Sequence, residues 1–429
     1  MKIAFTERMI SPEVGTAIAG YGPYDYTVAR RDDLFLSVLG MDDGQRKVVL
    51  MSYDLVGIDA EWIRPVRKKI VSLWGGAESD CILTCTHTHT GPHSRKLVHL
   101  PETYNAAYMD SLADITVDAV REVLAAEWRE VDAYFYSIQC DENRNRRYVG
   151  PENRCSFLPN RRDVAAIADG PCDKEMGGFF FVKPKSRQIE YIVGNYAAHP
   201  LAGHALGIAA HRISADFPGA YRRYLESEVG CKCMFCSGAA GDMVPHGDET
   251  GSAAIEEIGT HLATATLDAM IHAMRNPDCF KLENTVLQSC LEGRNYALRP
   301  HKSEFLKPLY GSITEIALDV QAVSVGDLCL IGVPGELLTE LGLEMKWHSP
   351  FRKTFILYNS TDYFDYLCHG NALTAGGYEA REQRITSRGG LQLVNAAVDA
   401  AYRLYERTFP DRSQWPENNP RPLVSLNNL

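Results

Sequence analysis

Short apolar runs without strict alternation recur along this chain, as in "RKVVLMSYDLVG", "DCILTCTHTHTGP", "GGFFFVKP" and "IEYIVGNYAAHP". A half-buried strand alternates apolar and polar residues, whereas a strand covered on both faces reads as a continuous apolar run. Amphipathic stretches lie between these runs: "AEWIRPVRKKIVSLW", "DFPGAYRRYLESEV" from about Asp216, and an Ala-rich segment from about Ser252 with a period near 3.6. The pattern predicts an α/β protein, one large domain of mixed β-sheet layers flanked by helices. No Pro/Ser-rich linker and no tandem repeat divides it, so residues 1–409 read as one domain and the Pro/Asn-rich residues 410–429 as an extended tail.

Composition excludes several partners. Forty-four basic against 55 acidic residues give a formal charge of -11 over 429 residues, and no Lys/Arg-rich run offers a nucleic-acid patch. The opening "MKIAFTERMISPEVG" lacks the apolar core of a secretory signal, and no run is long and apolar enough to span a membrane. The expected location is the cytoplasm, unless a leader precedes this sequence. Twelve cysteines in so long a chain do not make a disulfide framework. "CKCMFC" (Cys231, Cys233, Cys236) has thiol spacing that can hold zinc, yet it lacks a second knuckle and opens an apolar segment, so buried thiols are expected.

"THTHTGPH" places His87 and His89 two apart before a Gly-Pro turn. On a strand, such residues face the same way, and two imidazoles at a strand end can share a metal or divide metal binding from proton transfer. His93 falls past the turn, at the expected pocket rim. His199 closes the strand-like "IEYIVGNYAAHP", and His204 and His211 follow on a Gly/Ala-rich loop. "DLCLIGVPGELLTELGLEMKWH" reads as a strand, a Pro-Gly turn and a helix opening with Glu336, where a carboxylate also pairs favourably with the helix dipole. His261 and His272 lie on the Ala-rich helix and are read as surface or core residues.

Taken in order, these segments resemble the neutral ceramidase family, the zinc-dependent amidases that split ceramide into sphingosine and fatty acid. "THTHTGPHS" resembles that family's Thr-His-Thr-His-Ser-Gly-Pro stretch, which implies that His87 binds Zn2+ and His89 lines the active site. "NYAAHP" resembles its second zinc-histidine segment, implying His199 as a ligand, and "VPGE" its Pro-Gly-Glu turn, implying Glu336. In "NSTDYFDYLCHGNALTAGGYEA", Tyr366 matches the family's tyrosine ligand and Tyr378, twelve residues later and before Glu379, its second active-site tyrosine. An Asn-Arg element is matched by "DENRNRRYVG", with Arg146 favoured and Arg144 the rival, to hold a polar or anionic part of the substrate. The resemblance covers the family's catalytic domain and not its C-terminal immunoglobulin-like domain.

One departure bears on mechanism. Where the family carries Gly-Asp-Val-Ser-Pro, this chain reads "FCSGAAGDMVPHG", so Val244 stands in place of a serine, and Ser237 is seven residues away. The resemblance therefore implies hydrolysis of a linear amide by metal-activated water, with His89 or Tyr378 stabilising the carbonyl oxygen and His89 protonating the leaving amine. The expected substrate is a ceramide-like or smaller soluble amide. A zinc-assisted lactone, ester or glycoside hydrolase on the same scaffold, or a non-catalytic binding protein derived from it, stays open.

Overall fold

The computed structural model describes residues 1–20, 25–96, 103–150, 152–157, 167–203, 211–246, 251–275, 281–294 and 315–411. His204 and nearly all of the expected tail, residues 412–429, lie outside them.

The apolar runs form three main sheets built on one topological plan. In the first, β1 (Lys2–Met9), β2 (Phe35–Asp42) and β3 (Lys47–Tyr53) run antiparallel, and the helix α1 (Ala60–Ser72) carries the chain to β4 (Cys81–Cys85), which pairs parallel with β3. The helix α2 (Ala106–Ala125), capped by the Asn105 side chain on the Tyr108 amide, packs against β1 and β2. The second sheet repeats the plan. Strands β5 (Asp132–Gln139), β6 (Glu175–Val182) and β7 (Ile189–Tyr196) run antiparallel, and α3 (Asp216–Val229) leads to β8 (Lys232–Ser237), parallel to β7. The helix α4 (Ser252–Ile271) lies against α3. In the third, β9 (Leu282–Glu292), β10 (Glu315–Val325) and β11 (Leu328–Gly332) run antiparallel before α5 (Thr339–His348) leads to β12 (Lys353–Leu357), parallel to β11. The helix α6 (Ser387–Thr408), capped by Thr386, packs on β9 and β10.

Side-chain alternation explains why the strands read as continuous apolar runs. In β3, Val48 and Leu50 enter a central core, while Val49, Met51 and Tyr53 face α1 and α2. In β6, Phe179 and Phe181 enter that core while Phe180 and Val182 face α3 and α4. The central core also takes Val323, Leu328, Leu330 and Phe355 from the third sheet. The three sheets thus share one buried centre with helices outside, as the period-2 geometry of strands and the two-sided apolar pattern require. Each plan ends in a parallel pair, so the C-terminal ends of β3 and β4, β7 and β8, and β11 and β12 come in adjacent pairs. In open α/β sheets ligands gather at such strand ends.

Candidate metal centre

Each candidate metal ligand follows the C-terminal end of a strand in one of these parallel pairs, in a way the sequence only partly foretold. β4 stops at Cys85, so His87 and His89 do not share a strand face by alternation. Instead His87 takes φ 71, a left-handed conformation uncommon for a residue with a side chain, and its amide donates to the Leu55 carbonyl at 2.9 Å. Such backbone costs of order 1–3 kcal/mol and persists where surrounding bonds enforce it. The turn brings the two rings to 4.8 Å, nearly perpendicular at 81°. His199 lies three residues beyond β7 and donates its amide to the Met243 carbonyl at 3.0 Å.

Glu336 does not open a helix. It belongs to a two-residue strand, Glu336–Leu337, paired parallel with Tyr366–Leu367, and α5 begins only at Thr339. The carboxylate is therefore placed by a strand register that makes Glu336 and Tyr366 direct neighbours, and not by a helix dipole. Gly335 before it permits this pairing, because a Cβ there would lie 2.6 Å from the Asp365 carbonyl oxygen.

The four groups converge. Nε2 of His89 lies 3.2 Å from Nε2 of His87, and Oε2 of Glu336 lies 3.5 Å from Nε2 of His87 and 3.3 Å from Nε2 of His199. The three imidazoles offer donor atoms all within 4.8 Å of one another. In every case Nδ1 faces a backbone carbonyl: Val56 at 2.5 Å for His87, Ala240 at 2.6 Å for His199 and Gly20 at 3.2 Å for His89. A carbonyl only accepts, so the tautomer these bonds assign carries its proton on Nδ1 and leaves a lone pair on Nε2. Three lone pairs and a carboxylate oxygen then point at one small space. Among the described residues, Nε2 of His199 is buried without a hydrogen bond. Uncompensated, such lone pairs repel, and a cation held by His87, His199 and the Glu336 oxygen would relieve that repulsion. A backbone carbonyl on the second ring nitrogen is also the usual outer partner of a metal-binding histidine. The donor set fits a divalent ion.

Protonation states agree. Burial, with the Arg146 charge adding to it, pushes the His199 imidazole down to about 4. Burial and the neighbouring His87 and His199 hold His89 well below its ordinary value. Burial would raise the Glu336 carboxyl, but His87 and His199 outweigh it and hold the group well below the usual range.

A second layer surrounds these groups. Arg146 is buried, donates from Nε to Glu379 Oε1 at 2.8 Å and from Nη2 to the Tyr366 hydroxyl at 2.9 Å. Of the two candidate arginines, the structure brings Arg146 to the site, while Arg144 pairs with Val244 in the short ladder of Asn143–Asn145 and Met243–Pro245. Tyr378 is 40 % exposed and packs edge-on against Tyr366 at 5.5 Å, which places it at the rim. Burial and Glu336 raise the Tyr366 phenol well above 10, with Arg146 opposing them.

Four residues with structural claims on the site had no signal of spacing. Tyr358 and Tyr363 donate to the Glu336 carboxylate, the Asn359 amide lies 2.9 Å from His87 Nδ1, and Arg147 donates to Glu379 Oε2 at 2.7 Å. The only hint was the cluster of tyrosines in "LYNSTDYFDY", directly after β12.

The remaining sequence candidates stand apart. His93 is buried beyond Pro92, and its amide donates to the Ala17 carbonyl at 3.3 Å. His211 faces Asp25 at 3.8 Å, His261 meets Glu142 at the surface, and His272 ends α4 exposed. Burial raises the Cys233 thiol well above its ordinary value and Cys236 to about 12, so both are neutral thiols in the core. Among the described residues these cysteines form no metal-binding cluster. Ser237 is buried at the end of β8 and donates to the Thr86 carbonyl at 2.7 Å. Replacing Ser237 with alanine is expected to cost about 1–3 kcal/mol, by leaving that carbonyl unpaired, and to leave kcat within a few-fold of wild type. A denaturant melt and a turnover assay on the same preparation check it, and a kcat reduced by orders of magnitude would restore a nucleophilic serine.

No protein-family model matches the chain, and no curated protein matches it in sequence. The three-sheet frame is nevertheless the neutral ceramidase fold. Neutral ceramidase from Pseudomonas aeruginosa superposes on 95 % of this chain and 74 % of its own, with a TM-score of 0.76 at 16 % sequence identity. A ceramidase complexed with C2 gives a TM-score of 0.77 at 16 % identity, over 95 % of this chain and 75 % of that one.

Proposed function

We propose that this chain is a zinc-dependent amidase that hydrolyses the amide of a ceramide-like or smaller N-acyl amine. The observation that carries it is the convergence of three buried or half-buried Nε2 lone pairs and Glu336 Oε2 on one point, in a ceramidase fold. His87, His199 and Glu336 would hold the ion, with Tyr366 beside Glu336 as the fourth ligand. Zinc suits a small set of mixed nitrogen and oxygen donors that leaves one position open. Bound there, a divalent metal lowers the pKa of water from about 15.7 toward 7 and polarises a carbonyl.

The side chains divide the remaining work. His89 is the most exposed of the three imidazoles, so it faces the incoming amide; its Nε2 lone pair is placed to take a proton from the attacking water and pass it on to the leaving amine. Gly20 fixes its ring by accepting from Nδ1. Tyr378, half exposed at the rim, is the donor to the developing oxyanion, a contact worth about 3 kcal/mol where measured. Arg146 spends its guanidinium on Glu379 and Tyr366, so it sets the Tyr366 phenol and contributes positive charge toward an anionic part of the substrate.

The test is hydrolysis of a panel of N-acyl amines, lactones, esters and glycosides by the purified protein. Cleavage of an N-acyl amine, lost on dialysis against a chelator and recovered with Zn2+, is the expected result. The same treatment should lower the melting temperature, because an ion that binds only the folded chain stabilises it by about 4 kcal/mol at a thousandfold excess over its Kd. Turnover confined to lactones, esters or glycosides would sink the amide assignment, and chelator-resistant turnover the metal.

A further inference from the structure

The two oxygens of Glu336 have different surroundings. Oε2 faces the Nε2 atoms of His87 and His199 at 3.5 and 3.3 Å, with the Tyr358 hydroxyl at 3.2 Å. Oε1 instead receives the Tyr363 hydroxyl at 2.8 Å, the shorter of the two phenol bonds. Tyr363 is held where it must be to make that bond. A Cβ on Gly57 would come within 2.6 Å of its ring, so the chain keeps glycine there. The His87 ring meets it edge-on at 5.9 Å, and the Arg95 guanidinium lies 4.7 Å from the ring centroid. Arg95 is itself fixed by Asp365 and by Asp59 at 3.6 Å, and Asp365 by Arg384 at 2.6 Å.

We propose that Tyr363 is a positioning residue that makes Glu336 a one-oxygen metal ligand, by occupying Oε1 and leaving only Oε2 to face the imidazoles. This rests on the metal reading above and adds to it a cause for an open coordination position: a carboxylate free to bind through both oxygens fills the place that water and substrate need. Tyr358 has no such part, since it donates to the same oxygen that faces the imidazoles and leaves the choice of oxygen unaltered. Outer hydrogen bonds of this kind set metal affinity as well as ligand orientation.

The experiment compares wild type, Tyr363→Phe and Tyr358→Phe. Zn2+ affinity is read by competition with a chromophoric chelator, coordination number from the visible bands of the Co2+-loaded proteins, and folding from melting of the metal-free forms. For Tyr363→Phe the expected result is about 10–100-fold weaker Zn2+ binding and weaker Co2+ bands, as the freed carboxylate raises the coordination number. Tyr358→Phe should keep the wild-type Co2+ spectrum. X-ray absorption of the wild-type Zn2+ protein needs no variant to fold, and should show one carboxylate oxygen on the metal. Wild-type affinity and spectrum in Tyr363→Phe, or two Glu336 oxygens on the wild-type metal, overturn the proposal while the metal site stands. A wild-type protein that binds neither ion overturns the metal site itself, and Tyr363's part in it.

Discussion

Replacing His199 with alanine is expected to lower Zn2+ affinity by more than about 100-fold and to remove amidase activity with it, because even residues that merely orient a metal ligand cost about 10–100-fold when changed. The imidazole is wholly buried, its Nδ1 is committed to the Ala240 and Met243 carbonyls, and its Nε2 faces the Glu336 carboxylate at 3.3 Å. The variant also leaves those carbonyls short of a donor, a cost of about 1–3 kcal/mol that the metal-free melt should register. Metal content and kcat/KM of one preparation decide it. Unchanged values in a folded variant would remove His199 from the centre.

The second large effect concerns stability. Glu379 is fully buried between two buried guanidinium groups, accepting from Arg146 Nε at 2.8 Å and from Arg147 Nη1 at 2.7 Å. Arg147 has further support from Asp169 at 2.9 Å and from the Gly376 carbonyl, and Arg146 also donates to the Tyr366 hydroxyl. Glu379→Ala therefore strands positive charge out of water. Breaking one side of a buried ion pair costs about 3–5 kcal/mol, and that loss is expected in a denaturant melt. Activity should fall as well, since Arg146 no longer has the anchor that aims it at Tyr366. A variant as stable as wild type would mean that water or Asp169 takes over the charge, and the buried triad would not be what holds the Tyr366 and Tyr378 wall.

Much of the frame was legible because burial on both faces leaves a composition signal. The runs around Val48–Leu50, Phe179–Phe181 and Cys329–Ile331 read as strands and are strands of the central core. The threefold topological plan was not legible, since it repeats connections and strand directions without repeating residues. Candidate site residues were readable where a motif spans few residues, as in His87 and His89. How they converge was not: the left-handed turn at His87 is fixed by its amide bond to Leu55 and its ring bond to Val56, contacts that no local pattern encodes. Glu336 was assigned to a helix because "ELLTELGLEM" has helical composition, but pairing with Tyr366–Leu367 claims its first residues for a strand. Arg147 stood in the same motif without being singled out, and Tyr363 had no motif, for a related reason. Their partners, Glu379 and Glu336, lie far off in sequence, so only the fold reveals them.

The most direct test of the central claim is the metal content of the purified protein, measured beside its N-acyl amide hydrolysis before and after chelation. One equivalent of Zn2+ per chain, lost together with activity and restored together with it, is the predicted result. A protein without stoichiometric metal that hydrolyses the amide at an undiminished rate in chelator would contradict it.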